Sequence, residues 1–116
     1  MNVFTPRHNG FTSIIYITEM VKHVVVFKFT GTPEERLDVA TRFREALLAL
    51  PAQIPVLESM EAGINSNPSE TWDLTLTAVV PAMADVDVYA KHPAHVAAAG
   101  IITGHTAGRA CVDYEF

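Results

Sequence analysis

The run Val21-Lys22-His23-Val24-Val25-Val26-Phe27-Lys28-Phe29-Thr30 has the two-residue period of a β-strand. His23, Val25, Phe27 and Phe29 share one face, and Val24 and Val26 make the other face apolar as well. A strand that is apolar on both faces needs cover on both. In a two-layer domain of 116 residues, helices can cover only one side of the sheet. The second cover is expected from another copy of the same chain, in a homodimer.

Working outward, Thr32-Pro33-Glu34-Glu35 is a helix start: Thr32 caps, Pro33 fits the first helical position and Glu35 completes a capping box. Leu37, Ala40, Phe43, Leu47 and Leu50 then recur at helical spacing and predict one buried stripe. Pro51 and Pro55 close the helix. A second strand is expected over 56–65 and a third over 72–80, joined by the turn-rich Asn65-Ser66-Asn67-Pro68-Ser69-Glu70 as an antiparallel hairpin. In the third strand, Trp72, Leu74, Leu76 and Val80 are assigned to one face, and Asp73, Thr75, Thr77 and Val79 to the other. Residues 81–99 read as helical with a break at Pro93, and 109–116 as a last strand with Ala110, Val112, Tyr114 and Phe116 on one face. The order β-α-β-β-α-β is the ferredoxin-like pattern of an α+β fold, with an antiparallel sheet and helices on one of its faces. Two such sheets meeting face to face make a dimeric α/β barrel.

Residues 1–19 stand apart, as an N-terminal extension or an extra strand; the patterned domain covers 20–116. The formal charge of −5 and the scattered Lys and Arg residues argue against a nucleic-acid partner. No stretch is long and apolar enough for a transmembrane helix, and the N-terminus lacks the pattern of a signal peptide, so neither membrane attachment nor export is expected. Cys111 is the only cysteine. It excludes an intramolecular disulfide, makes a cysteine-based zinc site a poor expectation and suits a cytoplasmic protein.

Four segments together resemble the stress-responsive A/B barrel (Dabb) family. They are the opening strand 21–29, the hairpin Glu61-Ala62-Gly63-Ile64-Asn65 with Asn67-Pro68-Ser69-Glu70 and Trp72-Asp73-Leu74, the segment Tyr89-Ala90-Lys91-His92-Pro93-Ala94-His95-Val96, and the closing Arg109-Ala110-Cys111-Val112-Asp113-Tyr114. The resemblance implies a dimeric α/β barrel. It extends distantly to the family's polyketide cyclase members, which include a plant enzyme that makes olivetolic acid. In those members the tyrosine and the second histidine of the third segment are catalytic, and the positions carry over to Tyr89 and His95. A neutral His95 would then act as general base on an acidic carbon. Tyr89 would donate a hydrogen bond to the carbonyl whose charge develops. The implied reaction is the aldol closure of a poly-β-keto chain. Against it stands a purely structural use of the His-Pro-x-His segment, in a binding module without turnover that takes a small apolar or keto ligand.

His23, Phe27, Thr75 and His92 are further pocket candidates, with Asp73, Thr75 and Thr77 expected to line the same space as His23. His92 and His95 with His105 make a poor zinc set, so no metal is expected, and no cofactor fingerprint is present. Cys111 has only Arg109 as a cationic neighbour in the sequence, and a reactive thiol is not expected.

Overall fold

The computed structural model describes residues 19–116. The expected N-terminal arm, residues 1–19, lies outside the described residues except for its last position. The elements run β1 (Val21–Phe29), α1 (Pro33–Leu48), a 3-10 turn (Leu50–Ala52), β2 (Ser59–Ile64), β3 (Leu74–Val80), α2 (Met83–Lys91), α3 (Pro93–Gly100) and β4 (Thr106–Glu115). The strands form one antiparallel sheet in the order β2-β3-β1-β4. This is the expected ferredoxin-like α+β architecture.

The core lies between the helices and one face of the sheet. Val21, His23, Val25, Phe27 and Phe29 are all buried on that side of β1. Leu74, Leu76, Ala78 and Val80 continue it on β3. The helix α1 answers with Val39, Ala40, Phe43 and Leu47. Phe43 stands edge-on to Phe27 at 5.4 Å and to Phe29 at 6.5 Å between ring centroids. Such pairs add about 0.5–1.5 kcal/mol beyond area burial. The entry to α1 is the capping box read from the sequence: Glu35 N–H donates to Thr32 Oγ1, and Thr32 N–H donates to a Glu35 carboxylate oxygen. Gly31 makes the turn before it at φ +106°, where any side chain would be strained, and a Cβ there would lie 3.1 Å from that of Glu35.

Several expectations shift. Leu37, placed in the buried stripe, is 56% exposed, and Val39 takes its place in the core. The second strand starts at Ser59 and the third at Leu74. Trp72 therefore escapes strand alternation, and its ring lies under the Lys28 ammonium and against Gly108 on the face away from the helices. Asp73 goes to the helix side, where it accepts from Phe29 N–H at 2.7 Å and from Arg36. The last strand starts at Thr106, earlier than expected.

The far face of the sheet carries no helix among the described residues. Register places Val24 opposite Thr77 and Val112, and Val26 opposite Thr75 and Ala110. Val112 and Tyr114 on that face are 64% and 41% exposed. Among the described residues no helix is long and apolar enough to cross a membrane.

Removing the Phe43 ring should destabilise the fold by about 3–5 kcal/mol in Phe43→Ala. Loss of the cap in Thr32→Ala should cost about 1 kcal/mol. Urea unfolding of the two variants checks the ranking, and equal midpoints would contradict the assigned core.

Candidate functional site

Pro93 organises the site. The residue before a proline is driven out of the helical region, and His92 has the extended angles φ −62° and ψ 136°. It ends α2 and caps α3 in one step, its Nδ1 accepting from Ala94 N–H at 3.1 Å. The break turns α3 so that His95, in its first turn, meets Tyr89 at the end of α2. Their ring centroids are 4.6 Å apart at 62°.

Tyr89 and His95 line a cavity of about 300 Å³ between the helices and the sheet. His23, Val25, Phe27, Phe43 and Leu76 line it from the sheet and α1, joined by Thr103 and Gly104 of the α3–β4 connection and by Arg109 of β4. Gly104 turns that connection at φ +80°. Tyr89 is fully buried, yet among the described residues its hydroxyl has no hydrogen-bond partner, and neither has the buried Nδ1 of His95. An unsatisfied buried polar atom costs about 1–3 kcal/mol. Both atoms belong to neighbouring rings that line the mainly apolar cavity, where an oxygen-bearing ligand could supply the missing bonds. Burial is the largest influence on both ionisations. It pushes the Tyr89 phenol well above its ordinary range, so Tyr89 stays a donor. It pushes the His95 imidazole below its ordinary value. The nearby Ala90 backbone offsets part of this, and the charges of His23 and Arg109 add to the lowering.

Of the residues singled out from the sequence, Tyr89, His95, His23 and Phe27 therefore come together. Thr75 and His92 do not. Thr75 is exposed on the opposite face of the sheet, where its hydroxyl donates to the Val25 carbonyl. It pairs with Val26, so it cannot share the side of His23. Thr77 has the same parity as Thr75, and Asp73 is bound to Phe29 and Arg36, so neither lines the His23 space. The Nδ1 of His92 is spent on the helix cap. His92, His95 and His105 do not converge as a metal-holding group among the described residues. A wider cleft of about 550 Å³ between α1 and the β2–β3 loop is lined by Asp73 and by none of the other candidates.

The sequence reading missed a polar cluster beside the cavity. Register pairs His23 with Asp113 and Val25 with Cys111. Asp113 and Cys111 thus lie on the helix side of β4. His23 Nδ1 is 2.5 Å from Asp113 Oδ1 and 3.5 Å from Cys111 Sγ. Burial, then the charge of Asp113, pushes the Cys111 thiol up. The alternation of 109–116 placed Cys111 and Asp113 on one face; only the pairing of β4 with β1 sets His23 against them.

The model of the Stress responsive A/B Barrel Domain matches residues 21–116. The chain belongs to this family. A dimeric ferredoxin-like protein of unknown function from Bacteroides fragilis is 48% identical, with 84% of this chain and 96% of that one covered and a TM-score of 0.81. A second dimeric ferredoxin-like protein of unknown function, from Thermobifida fusca, is 27% identical over 90% of this chain and 97% of that one, with a TM-score of 0.69. The hydroxynitrile lyase of Passiflora edulis shares the fold at 13% identity, with 85% of this chain and 94% of the lyase covered and a TM-score of 0.65. No curated protein matches the sequence.

In this A/B barrel domain the depressed His95 has a thermodynamic consequence. The unfolded chain takes up a proton at the ordinary value of 6.5, while the folded chain resists it. Below that pH the unfolded state binds more protons, so stability is full above it and falls on acidification toward the folded value. Urea titrations at several pH values should show the wild type losing more stability on acidification than His95→Gln. Parallel losses would place the effect at another group.

Proposed function

We propose that the protein is a homodimeric binding module that holds one small, largely apolar ligand with a keto or hydroxyl oxygen in each protomer. The observation that carries this reading is the pair of unpartnered buried atoms, Tyr89 Oη and His95 Nδ1, on two residues that line one mainly apolar cavity. A volume of about 300 Å³ is at the small end of ligand pockets. Tyr89 would donate to the ligand's carbonyl, and His95 would bond a hydroxyl or enol. The single, reduced thiol suits a cytoplasmic setting.

A second reading follows from the ionisation of the same pair. A histidine kept neutral by burial, in contact with a tyrosine kept protonated, has the character of a base beside a carbonyl donor. His95 would remove the proton from the carbon between two carbonyls, and Tyr89 would bond the enolate oxygen. The carbanion would attack a further carbonyl of the same chain. The proton held on His95 would then return to the new alkoxide. This is a cofactor-free cyclase or lyase type of enzyme.

The homodimer rests on the far face of the sheet. Val24, Val26, Val112 and Tyr114 form an apolar surface that a second copy matches by two-fold symmetry. The two relatives of highest identity reported above are described as dimeric.

A panel of β-keto acids and their thioesters, followed by thermal shift, tests the pocket. At least one should raise the wild-type Tm, and Tyr89→Phe with His95→Ala should lose that shift. Stabilisation that survives both substitutions would remove the ligand from this cavity. The same samples in deuterated buffer separate the two readings. Exchange at the carbon between the carbonyls, abolished by His95→Ala, means catalysis; binding without exchange means a module. For the dimer, Val112→Asp should sediment as a monomer at concentrations where the wild type is dimeric. An unchanged dimer would place the interface on another surface.

A further inference from the structure

We propose that His23, Cys111 and Asp113 form a divalent metal site suited to Zn2+, with His23 Nδ1, Cys111 Sγ and Asp113 Oδ1 as its three protein ligands. It goes beyond the ligand-binding reading and does not depend on it. These three atoms are the one group of three or more such donors that converges among the described residues, all within 4.8 Å of one another.

The donor chemistry is that of a borderline-soft ion. A thiolate, an imidazole and a carboxylate suit zinc, whereas magnesium and calcium require oxygen shells. The charge also fits, since thiolate and carboxylate together neutralise a divalent ion. The distances can be set against the geometry. Zinc bonds of about 2.3 Å to sulfur and about 2.0–2.1 Å to nitrogen and oxygen, at tetrahedral angles, put the donors about 3.4–3.6 Å apart. His23 Nδ1 and Cys111 Sγ are 3.5 Å apart, and Cys111 Sγ and Asp113 Oδ1 are 3.8 Å apart. Only the His23–Asp113 contact, at 2.5 Å, is shorter than a shared ion allows. That contact is a hydrogen bond, and the ion replaces its proton. The carboxylate then has to swing out by roughly 1 Å, and its side chain, at 26% exposure, has the room.

Position favours the same assignment. His23 is held in a central strand with its ring edge toward Tyr89, 5.9 Å between centroids, so one donor is preset. The other two sit on the edge strand β4, half-buried at Cys111 and exposed at Asp113, so an ion can reach them. The fourth position falls to water from that side. On loading, the Cys111 thiol gives its proton to solvent and the Nδ1 proton of a neutral His23 is exchanged through solvent to Nε2, so no other reactant is consumed.

The test is a Co2+ titration of the reduced full chain, followed by displacement with Zn2+. One Co2+ per chain should bind and give the thiolate-to-cobalt charge-transfer absorption with strong tetrahedral d–d bands. Cys111→Ser, a near-isosteric change at a half-buried position, should abolish the charge-transfer absorption. Asp113→Asn should weaken binding at least about tenfold. Tyr89→Phe, which removes no donor, should leave cobalt binding unchanged even where it abolishes ligand binding in the cavity, so the two proposals fail separately. A weak octahedral spectrum without a thiolate band, or wild-type affinity in Cys111→Ser, overturns the site.

Discussion

β1 lies between β3 and β4 and is apolar on both faces, so the sheet needs two covers. One is supplied by the chain itself. Phe27 and Phe29 against Phe43, with the aliphatic side chains of β3, close the helix side. The other side exposes Val112 and Tyr114, with Val24 and Val26 between them and β3. The division matters for function, because it separates two kinds of apolar surface. The helix side encloses a cavity within one protomer. The far side is an open plane, which suits contact with a matching plane rather than with a small molecule. The candidate chemistry collects on the enclosed side, since His23, Cys111 and Asp113 have the strand parity that points there.

The second constraint is Pro93. Without it, residues 83–100 would continue as one helix, and Tyr89 and His95 would lie on different faces, about 600° of helical turn apart at 100° per residue. The break at His92 lets α3 start at a new angle and brings the two rings to 4.6 Å. His92 itself is consumed by the device, as the acceptor that caps the new helix. The two histidines of the His-Pro-x-His segment thus have different physical uses. One satisfies an orphan backbone donor of α3, and the other, its ring against that of Tyr89, leaves a nitrogen unsatisfied.

Most of the fold was legible because its signals are local. The capping box at Thr32, the turn residues of 65–70, the strand period of 21–30 and the helix break at Pro93 each depend on a few adjacent residues. What failed depended on register. Thr75 and His23 are both polar positions on apolar strands, and nothing local says that Thr75 pairs with Val26 and so faces the other way. Trp72 was read by alternation, but it precedes β3 and is drawn to Lys28 and Gly108. Leu37 has helical spacing to Ala40, yet the burial of α1 takes in Val39, Ala40, Phe43 and Leu47 and leaves Leu37 out. The cluster of His23, Cys111 and Asp113 was invisible for the same reason, since it joins residues 90 positions apart through one ladder.

The folded state alone explains His92, and it explains the apolar floor of the cavity. It does not explain the Tyr89 hydroxyl. A phenylalanine there would fill the same space without burying an unpartnered oxygen, and the unsatisfied group costs about 1–3 kcal/mol. The Nδ1 of His95 carries a similar cost. Such costs are a sizeable part of the 5–15 kcal/mol that holds a domain folded. Two of them, on neighbouring rings that both line one mainly apolar cavity, are poor economy for a scaffold and good preparation for a bound oxygen. That asymmetry within a single short segment, rather than the segment's resemblance to any other, is the physical ground for the proposal that a ligand is held at Tyr89 and His95.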